Sequence, residues 1–255
     1  MRPPLPDVIR IAREAGKIIL HHYQSPTIQV SHKEDHSPLT IADKESDQWI
    51  QAELSRLTPS IPILSEESAI PPYEERKSWK KFWLVDPLDG TREFLKRNGE
   101  FTVNIALVEE GVSVLGVIFV PVQDLLYFGE QGSGAWKQVG EEEPQRISFQ
   151  KADPSKPLTV VVSRSHISPQ EEAFLKTLSI GETLRIGSSL KFGLLAEGVA
   201  DVYPRNGPTM EWDVAAGDCL YRAAAKGGYI SPPFTYNKPD LRNDSFVLGI
   251  EASDL

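Results

Sequence analysis

A single cysteine, Cys219, stands among 255 residues, so no disulfide can form within the chain and a reducing compartment suits it. It lies in an alanine-rich helical stretch and reads as packing. No apolar run is long enough to span a bilayer, and Asp7, Arg10, Arg13 and Glu14 put charge where a signal peptide would be apolar. The expectation is a cytoplasmic protein, with peripheral attachment to a membrane face left open. Repeats and low-complexity tracts are missing as well. Basic residues are in short supply: 27 Lys and Arg face 36 Asp and Glu, for a net charge of −9. That balance disfavours a nucleic-acid polymer as partner. It leaves small anions open, because cations gathered by an acidic site make a pocket locally positive.

What the chain does have is a globular mixture of helix and strand patterns, long enough for one large domain or two packed lobes. Leu5, Val8, Ile9, Ala12, Ala15, Ile19 and Tyr23 recur at helical spacing, and a second helix is expected from about Thr40, with Ile50, Leu54 and Leu57 inward. Apolar runs at 101–108, 112–120 and 125–128, separated by Glu110-Gly111 and by 121–124, predict an antiparallel meander. The polar stretch 140–157 is the candidate boundary between an N-terminal lobe, 1–150, and a C-terminal lobe, 151–255. Beyond it the patterns predict strands at 158–162 and 199–203 and helices at 169–178, 190–197 and 210–225. Helices and strands in layers give a mixed α/β (α+β) class.

The most informative segment is Trp83-Leu84-Val85-Asp86-Pro87-Leu88-Asp89-Gly90-Thr91, an apolar strand that runs into two carboxylates. Pro87 fixes φ and Gly90 tolerates a positive φ, so the backbone can fold back and converge Asp86, Asp89 and a carbonyl oxygen. Hard divalent cations take oxygens in such clusters. Directly after it, the free amides of Gly90 and Thr91 suit a phosphate. Three other segments have ordinary explanations when taken singly. Ser65-Glu66-Glu67-Ser68 reads as a solvated acidic loop, Thr40 with Asp43 as a capping box, and Glu211-Trp212-Asp213 as acids favoured by a helix dipole.

Taken together, these segments resemble the inositol monophosphatase superfamily of metal-dependent phosphatases: an acidic pair after a strand, a D-P-x-D-G-T turn, and a late W-D. The stretch Lys96 to Leu107, then Gly187-Ser188-Ser189-Leu190-Lys191-Phe192, Ala196-Glu197-Gly198 and Tyr203-Pro204-Arg205, is similar to the CysQ-type 3′(2′),5′-bisphosphate nucleotidase branch. The resemblance implies a five-layer α-β-α-β-α sandwich. It implies two or three Mg²⁺ per site, held by Glu66, Asp86, the Leu88 carbonyl, Asp89 and Asp213, with Asp86 bridging and Glu67 behind the direct ligands. Asp43 and Thr91 match the pair that polarises the attacking water, and Glu66 joins them as catalytic. Substrate contacts are expected from Glu66, Leu88, Asp89, Gly90, Thr91 and Asp213, and a second phosphate from Ser188, Lys191 and Arg205. Lys33 is a looser match.

On that resemblance the substrate is adenosine 3′,5′-bisphosphate, cleaved to AMP and phosphate in the setting of sulfate assimilation, with 3′-phosphoadenylyl sulfate as a second substrate. Lithium sensitivity and a monomer or homodimer are also implied. An inositol or sugar phosphatase of the same superfamily would share every metal ligand and differ at 188–205. A metal-dependent nucleotide sensor is the non-enzymatic alternative. A haloacid-dehalogenase phosphatase is excluded by spacing, since it needs Asp-x-Asp and the acids here are three apart.

Overall fold

The structure, a computed structural model, describes residues 3–26, 30–32, 38–153, 155–165, 167–225, 230–231 and 233–250. Helix α1 (Leu5–Tyr23) buries Val8, Ile11, Ala12, Ala15 and Ile19 along one stripe, as the periodicity predicts. A two-stranded ladder, β1 (Val30–His32) with β2 (Pro38–Thr40), leads into α2 (Ile41–Leu57). Next come β3 (Ile63–Ser65), the one-turn α3 (Tyr73–Arg76), β4 (Lys81–Asp89) and α4 (Thr91–Leu95). The meander follows as β5 (Thr102–Glu109), β6 (Val112–Val120), β7 (Leu125–Glu130), β8 (Gly134–Val139) and β9 (Gln145–Ile147).

Strands β3 to β9 form one seven-stranded sheet in sequence order, antiparallel except for the parallel β3–β4 pair. Antiparallel sheets often keep one wet face, yet these strands are nearly continuous apolar runs, because both faces are covered. Trp83, Val85, Val103, Ile105, Leu115 and Val117 pack under α1 and α2. Phe82, Leu84, Ala106, Val108, Ile118 and Tyr127 point the other way. There they meet α6 (Leu190–Ala196) and α7 (Glu211–Ala224).

A second sheet lies beyond α6 and α7. In it β10 (Leu158–Ser163) pairs in parallel with β11 (Ile180–Ile186), and a bridge between Val160 and Val202 joins β10 to the strand β12 (Tyr203–Arg205). The remaining strands are β13 (Thr209–Met210), β14 (Ile230–Ser231), β15 (Arg242–Asn243) and β16 (Phe246–Leu248); β12 and β14 flank β16, and β13 pairs with β15. Helix α5 (Pro169–Leu175) brings Phe174 and Leu175 onto the outer face, over Val160, Val162 and Val202. The layers are therefore α, β, α, β, α, as the resemblance implies. We keep residue 150 as a proposed lobe boundary, although the core between the sheets draws side chains from both sides of it.

Three local differences from the sequence reading have physical causes. The strand expected at 199–203 begins at Tyr203, because Gly198, at φ +77°, turns the chain and the amides of Val199 and Ala200 close the end of α6 on Leu194 O. Helix α5 stops at Leu175 rather than 178. Strand β11 escaped notice because Gly181, Glu182 and Arg185 interrupt its apolar pattern on an exposed edge.

Helix α7 matters most for the site, since its first turn carries Asp213. It lies close on both neighbours. A Cβ on Gly116 of β6 would sit 2.3 Å from Ala216 O, and one on Gly217 would sit 2.1 Å from the Phe192 ring. Glycine at these two positions lets the helix settle between sheet and α6, so its register there leaves little play.

Candidate active site: a buried carboxylate cluster

The D-P-x-D segment is the end of a strand that bulges. Asp86 pairs with Asn104 and Asp89 with Thr102, so β4 spends one more residue than β5 over this interval. Pro87 can donate no ladder hydrogen bond, and its carbonyl is taken by Ser46 Oγ at 3.0 Å. The Leu88 amide donates to Asp86 Oδ1 at 3.0 Å. Gly90, at φ +92°, then turns the chain into α4. The bulge thus aims both carboxylates toward the end of the sheet.

There they meet acids from two other elements. Glu66 follows β3, its amide bonded to Val85 O at 3.1 Å. Asp213 comes from α7, where Oδ2 accepts the Met210 amide at 2.8 Å. One oxygen each of Glu66, Asp86 and Asp213 lies within 4.8 Å of the others. Asp86 is held well above the usual carboxylate range, by burial first and then by the charges of Glu66, Asp89 and Asp213. Asp213 is raised for the same reasons. Asp89 is also raised by burial, but Lys191 and the Ser189 amide work against the shift; its Oδ2 accepts that amide at 2.6 Å and Asn104 Nδ2 at 3.4 Å. Crowded, largely desolvated carboxylates that raise one another's pKa form the donor set a hard divalent cation fits, because the cation reverses the repulsion.

Asp43 holds two roles at once. Its Oδ2 accepts the Thr40 amide at 2.8 Å and the Thr40 hydroxyl at 2.5 Å, which caps α2. Its Oδ1 accepts the Thr91 hydroxyl at 3.2 Å. Thr91 Oγ1 therefore gives its proton to Asp43 and keeps its lone pairs for another donor.

Glu66, Asp86, Leu88, Asp89, Gly90, Thr91, Ser188, Lys191, Arg205 and Asp213, all read from the sequence, line one cleft of about 670 Å³. Ser188 takes a positive φ of 49°, and its buried Oγ has no hydrogen-bond partner in the protein. Buried Lys191 donates to Ser188 O and, at 3.4 Å, to Ile186 O, with Nζ 5.5 Å from the Tyr203 ring centroid. Burial lowers its pKa to about 8, partly offset by Asp89. Lys33 lies outside the described residues.

Some residues of the site carried no assigned role in the sequence reading. Ser189 Oγ donates to Asn104 Oδ1 at 2.6 Å and lies 2.8 Å from Thr102 Oγ1, so these three brace Asp89. Their signal was present: Thr102 and Asn104 are the polar positions in the first half of a strand otherwise apolar up to Val108. Glu171, on α5, lines the cleft fully buried; Oε2 takes the Ser168 amide at 3.0 Å while Oε1 has no partner. Cys219 is buried packing, as expected.

Residues 6–248 match the sequence model of the inositol monophosphatase family. The chain belongs to this family. Within it, the chain is 48% identical over 227 residues to a 3′(2′),5′-bisphosphate nucleotidase CysQ of Salmonella typhimurium, covering 89% of each. It is 36% identical over 248 residues to that of Haemophilus influenzae, covering 96% of this chain and 91% of the relative. The crystal structure of CysQ from Bacteroides thetaiotaomicron, a bacterial member of the family, superposes with a TM-score of 0.83 at 42% identity over 97% of both chains. An inositol monophosphatase from Anabaena gives 0.76 at 26% identity, over 98% of this chain and 92% of that one. Among the described residues, no helix is long and apolar enough to cross a membrane.

The cluster's repulsion makes a prediction. A native carboxyl that keeps its proton to higher pH than the unfolded one costs the folded state stability as pH rises above the unfolded value, about 3.9. Asp86→Asn keeps the acceptor for the Leu88 amide and removes one charge. In chelator-treated protein it should melt several degrees above wild type at about pH 8, with the gain shrinking toward about pH 4, while phosphatase turnover is lost. Differential scanning calorimetry with a phosphate-release assay checks both.

Proposed function

We propose that this chain is a Mg²⁺-dependent 3′(2′),5′-bisphosphate nucleotidase that removes the 3′-phosphate of adenosine 3′,5′-bisphosphate by attack of water, giving AMP and phosphate. The observation that carries the reading is a single cleft holding a carboxylate cluster at one part and a buried cationic Lys191 with the unpartnered Ser188 hydroxyl at another. A monoester with one phosphate needs the first part alone, whereas a bisphosphate uses both. The similarity to nucleotidases named CysQ supports the same choice.

Glu66, Asp86, the Leu88 carbonyl, Asp89 and Asp213 would hold the cations. When bound, divalent cations supply positive charge against the phosphoryl oxygens and make water a better nucleophile at neutral pH. The chain's own residues do the rest. Thr91, its hydroxyl proton committed to Asp43, accepts a hydrogen bond from the attacking water and sets its line of approach. The amides of Gly90 and Thr91 donate to the phosphoryl oxygens. As the bond from water oxygen to phosphorus forms, the bond to the 3′ oxygen breaks, and the proton that the water gives up ends on that oxygen. Lys191 and Arg205 bind the phosphate that is not cleaved, a charge-assisted contact worth more than a neutral one. Glu171 Oε1 offers an acceptor to donors on the nucleoside.

An inositol or sugar phosphatase of the same family would use the same carboxylates, and Lys191, buried in the cleft wall, is what favours the bisphosphate. Phosphate release with Mg²⁺ tests the choice: kcat/KM for adenosine 3′,5′-bisphosphate should exceed that for inositol 1-phosphate by about tenfold or more, the value of one hydrogen bond to a charged group. Faster turnover of inositol 1-phosphate would overturn the nucleotidase reading. Binding without any turnover would favour a sensor.

A second measurement isolates Lys191. The ammonium is present below its pKa of about 8 in the free protein and is lost above it. KM for the bisphosphate should therefore rise above that pH while kcat changes less. Lys191→Met should raise KM at neutral pH and flatten the rise, read from KM against pH.

A further inference from the structure

Glu66 and Asp213 share an ion-sized space but not a strand. Glu66 follows the three-residue edge strand β3, and Asp213 belongs to the first turn of a helix in the middle layer. One polar assembly joins Arg76 of α3, ten residues after Glu66, to Glu211, two residues before Asp213. Past Glu66 the chain reaches α3, where Arg76 is fully buried. Its Nη1 donates to Asn237 Oδ1 at 2.8 Å and to Lys238 O at 2.7 Å, and its Nη2 to Pro239 O at 3.0 Å. Asn237 Nδ2 returns a bond to Arg76 O at 2.6 Å. The opposite side of the same short segment is bound by Glu211, two residues before Asp213 and 0% exposed. Glu211 Oε2 accepts the Asn237 amide at 2.6 Å, and Oε1 accepts the Lys238 amide at 2.9 Å and Lys238 Nζ at 2.8 Å.

Asn237 is the hinge of this arrangement. At φ +65°, a conformation asparagine tolerates better than most residues, it turns its amide to Glu211 while its side chain meets Arg76. The Glu66 loop is tied on its other flank to α2, where Asp47 Oδ1 accepts Ser65 Oγ at 2.5 Å and Oδ2 accepts Ser68 Oγ at 3.3 Å. A buried ion pair often adds little stability beyond what apolar residues would give, and one use of such groups is to fix a single arrangement. Here the arrangement they fix is the approach of the loop after Glu66 to the start of α7. We infer that Arg76, Asn237 and Glu211 form a strut that positions Glu66 against Asp213 and so sets cation affinity, an inference that rests on reading those two acids as cation ligands.

The strut residues are positioning residues, so the decisive readout is cation affinity rather than stability. Mn²⁺ binding to the full chain, by titration calorimetry or electron paramagnetic resonance, is compared for wild type, Asn237→Gly, Glu211→Gln and Arg76→Lys. Asn237→Gly keeps the positive φ and removes both side-chain bonds to Arg76; should Arg76→Lys fail to fold, the other two still weaken the strut from either side. Trp136→Ala, on β8 next to the far edge strand of the seven-stranded sheet, serves as a control for general destabilisation. Strut variants should bind Mn²⁺ about tenfold or more weakly, as when groups that orient metal ligands are removed. The Mg²⁺ concentration for half-maximal turnover should rise in step, and turnover at saturating Mg²⁺ should stay near wild type. Trp136→Ala should melt earlier yet bind Mn²⁺ normally. Wild-type affinity in the strut variants, or equal weakening in Trp136→Ala, would overturn the inference. Asp213→Asn separates the two failures: if it binds Mn²⁺ as wild type does, the cation site itself is wrong and the strut falls with it.

Discussion

Glu66, Asp86, Asp89 and Asp213 line one cleft, Asp86 buried and the other three half-buried, where little water is left to screen them. Left alone, such charges take up protons or move apart. Here burial and mutual repulsion favour the protonated forms of Asp86, Asp89 and Asp213, while bonds from behind keep these three from moving apart. Asp86 is locked by the Leu88 amide, Asp89 by Ser189 and Asn104, and Asp213 by the Met210 amide. The five layers can be understood as the scaffold that makes this possible. A sheet covered on both faces supplies a rigid floor, and a helix packed through Gly116 and Gly217 brings the last acid in from the middle layer. The repulsion built into the cluster is the same quantity that makes it attractive to a divalent cation.

The rest of the site follows from that constraint. A helix cap on α2 doubles as the partner of Thr91, so the proton inventory of the Thr91 hydroxyl is settled before substrate arrives. The cationic part of the cleft is separate in sequence and made differently: Ser188 in a left-handed conformation, Lys191 held on main-chain carbonyls. Strain and an unpartnered hydroxyl concentrated there are the marks of a surface shaped for a ligand rather than for stability.

Much of this was legible in the amino-acid order because its signals are local. Pro87 and Gly90 announce that the chain folds back at Asp86 and Asp89, and the apolar stripe of α1 announces its buried face. Asp43 showed its capping role in the sequence, whereas its bond to Thr91 depended on resemblance, since 48 residues separate the two. What escaped was non-local or exposed. Strand β11 has no clean alternation at its edge position. The bracing of Asp89 by Ser189 needs contacts across about 100 residues and leaves only polar interruptions in β5 as a trace. Arg76, Asn237 and Glu211 lie apart in sequence and look like ordinary surface polar residues until the fold brings them together.

The central claim is that these carboxylates converge on shared cations. Anomalous diffraction from crystals soaked in Mn²⁺ tests it most directly. The account predicts a strong peak bounded by the carboxylates of Glu66, Asp86 and Asp213. A cleft without such a peak at saturating Mn²⁺, with the acids turned to separate partners, would contradict it.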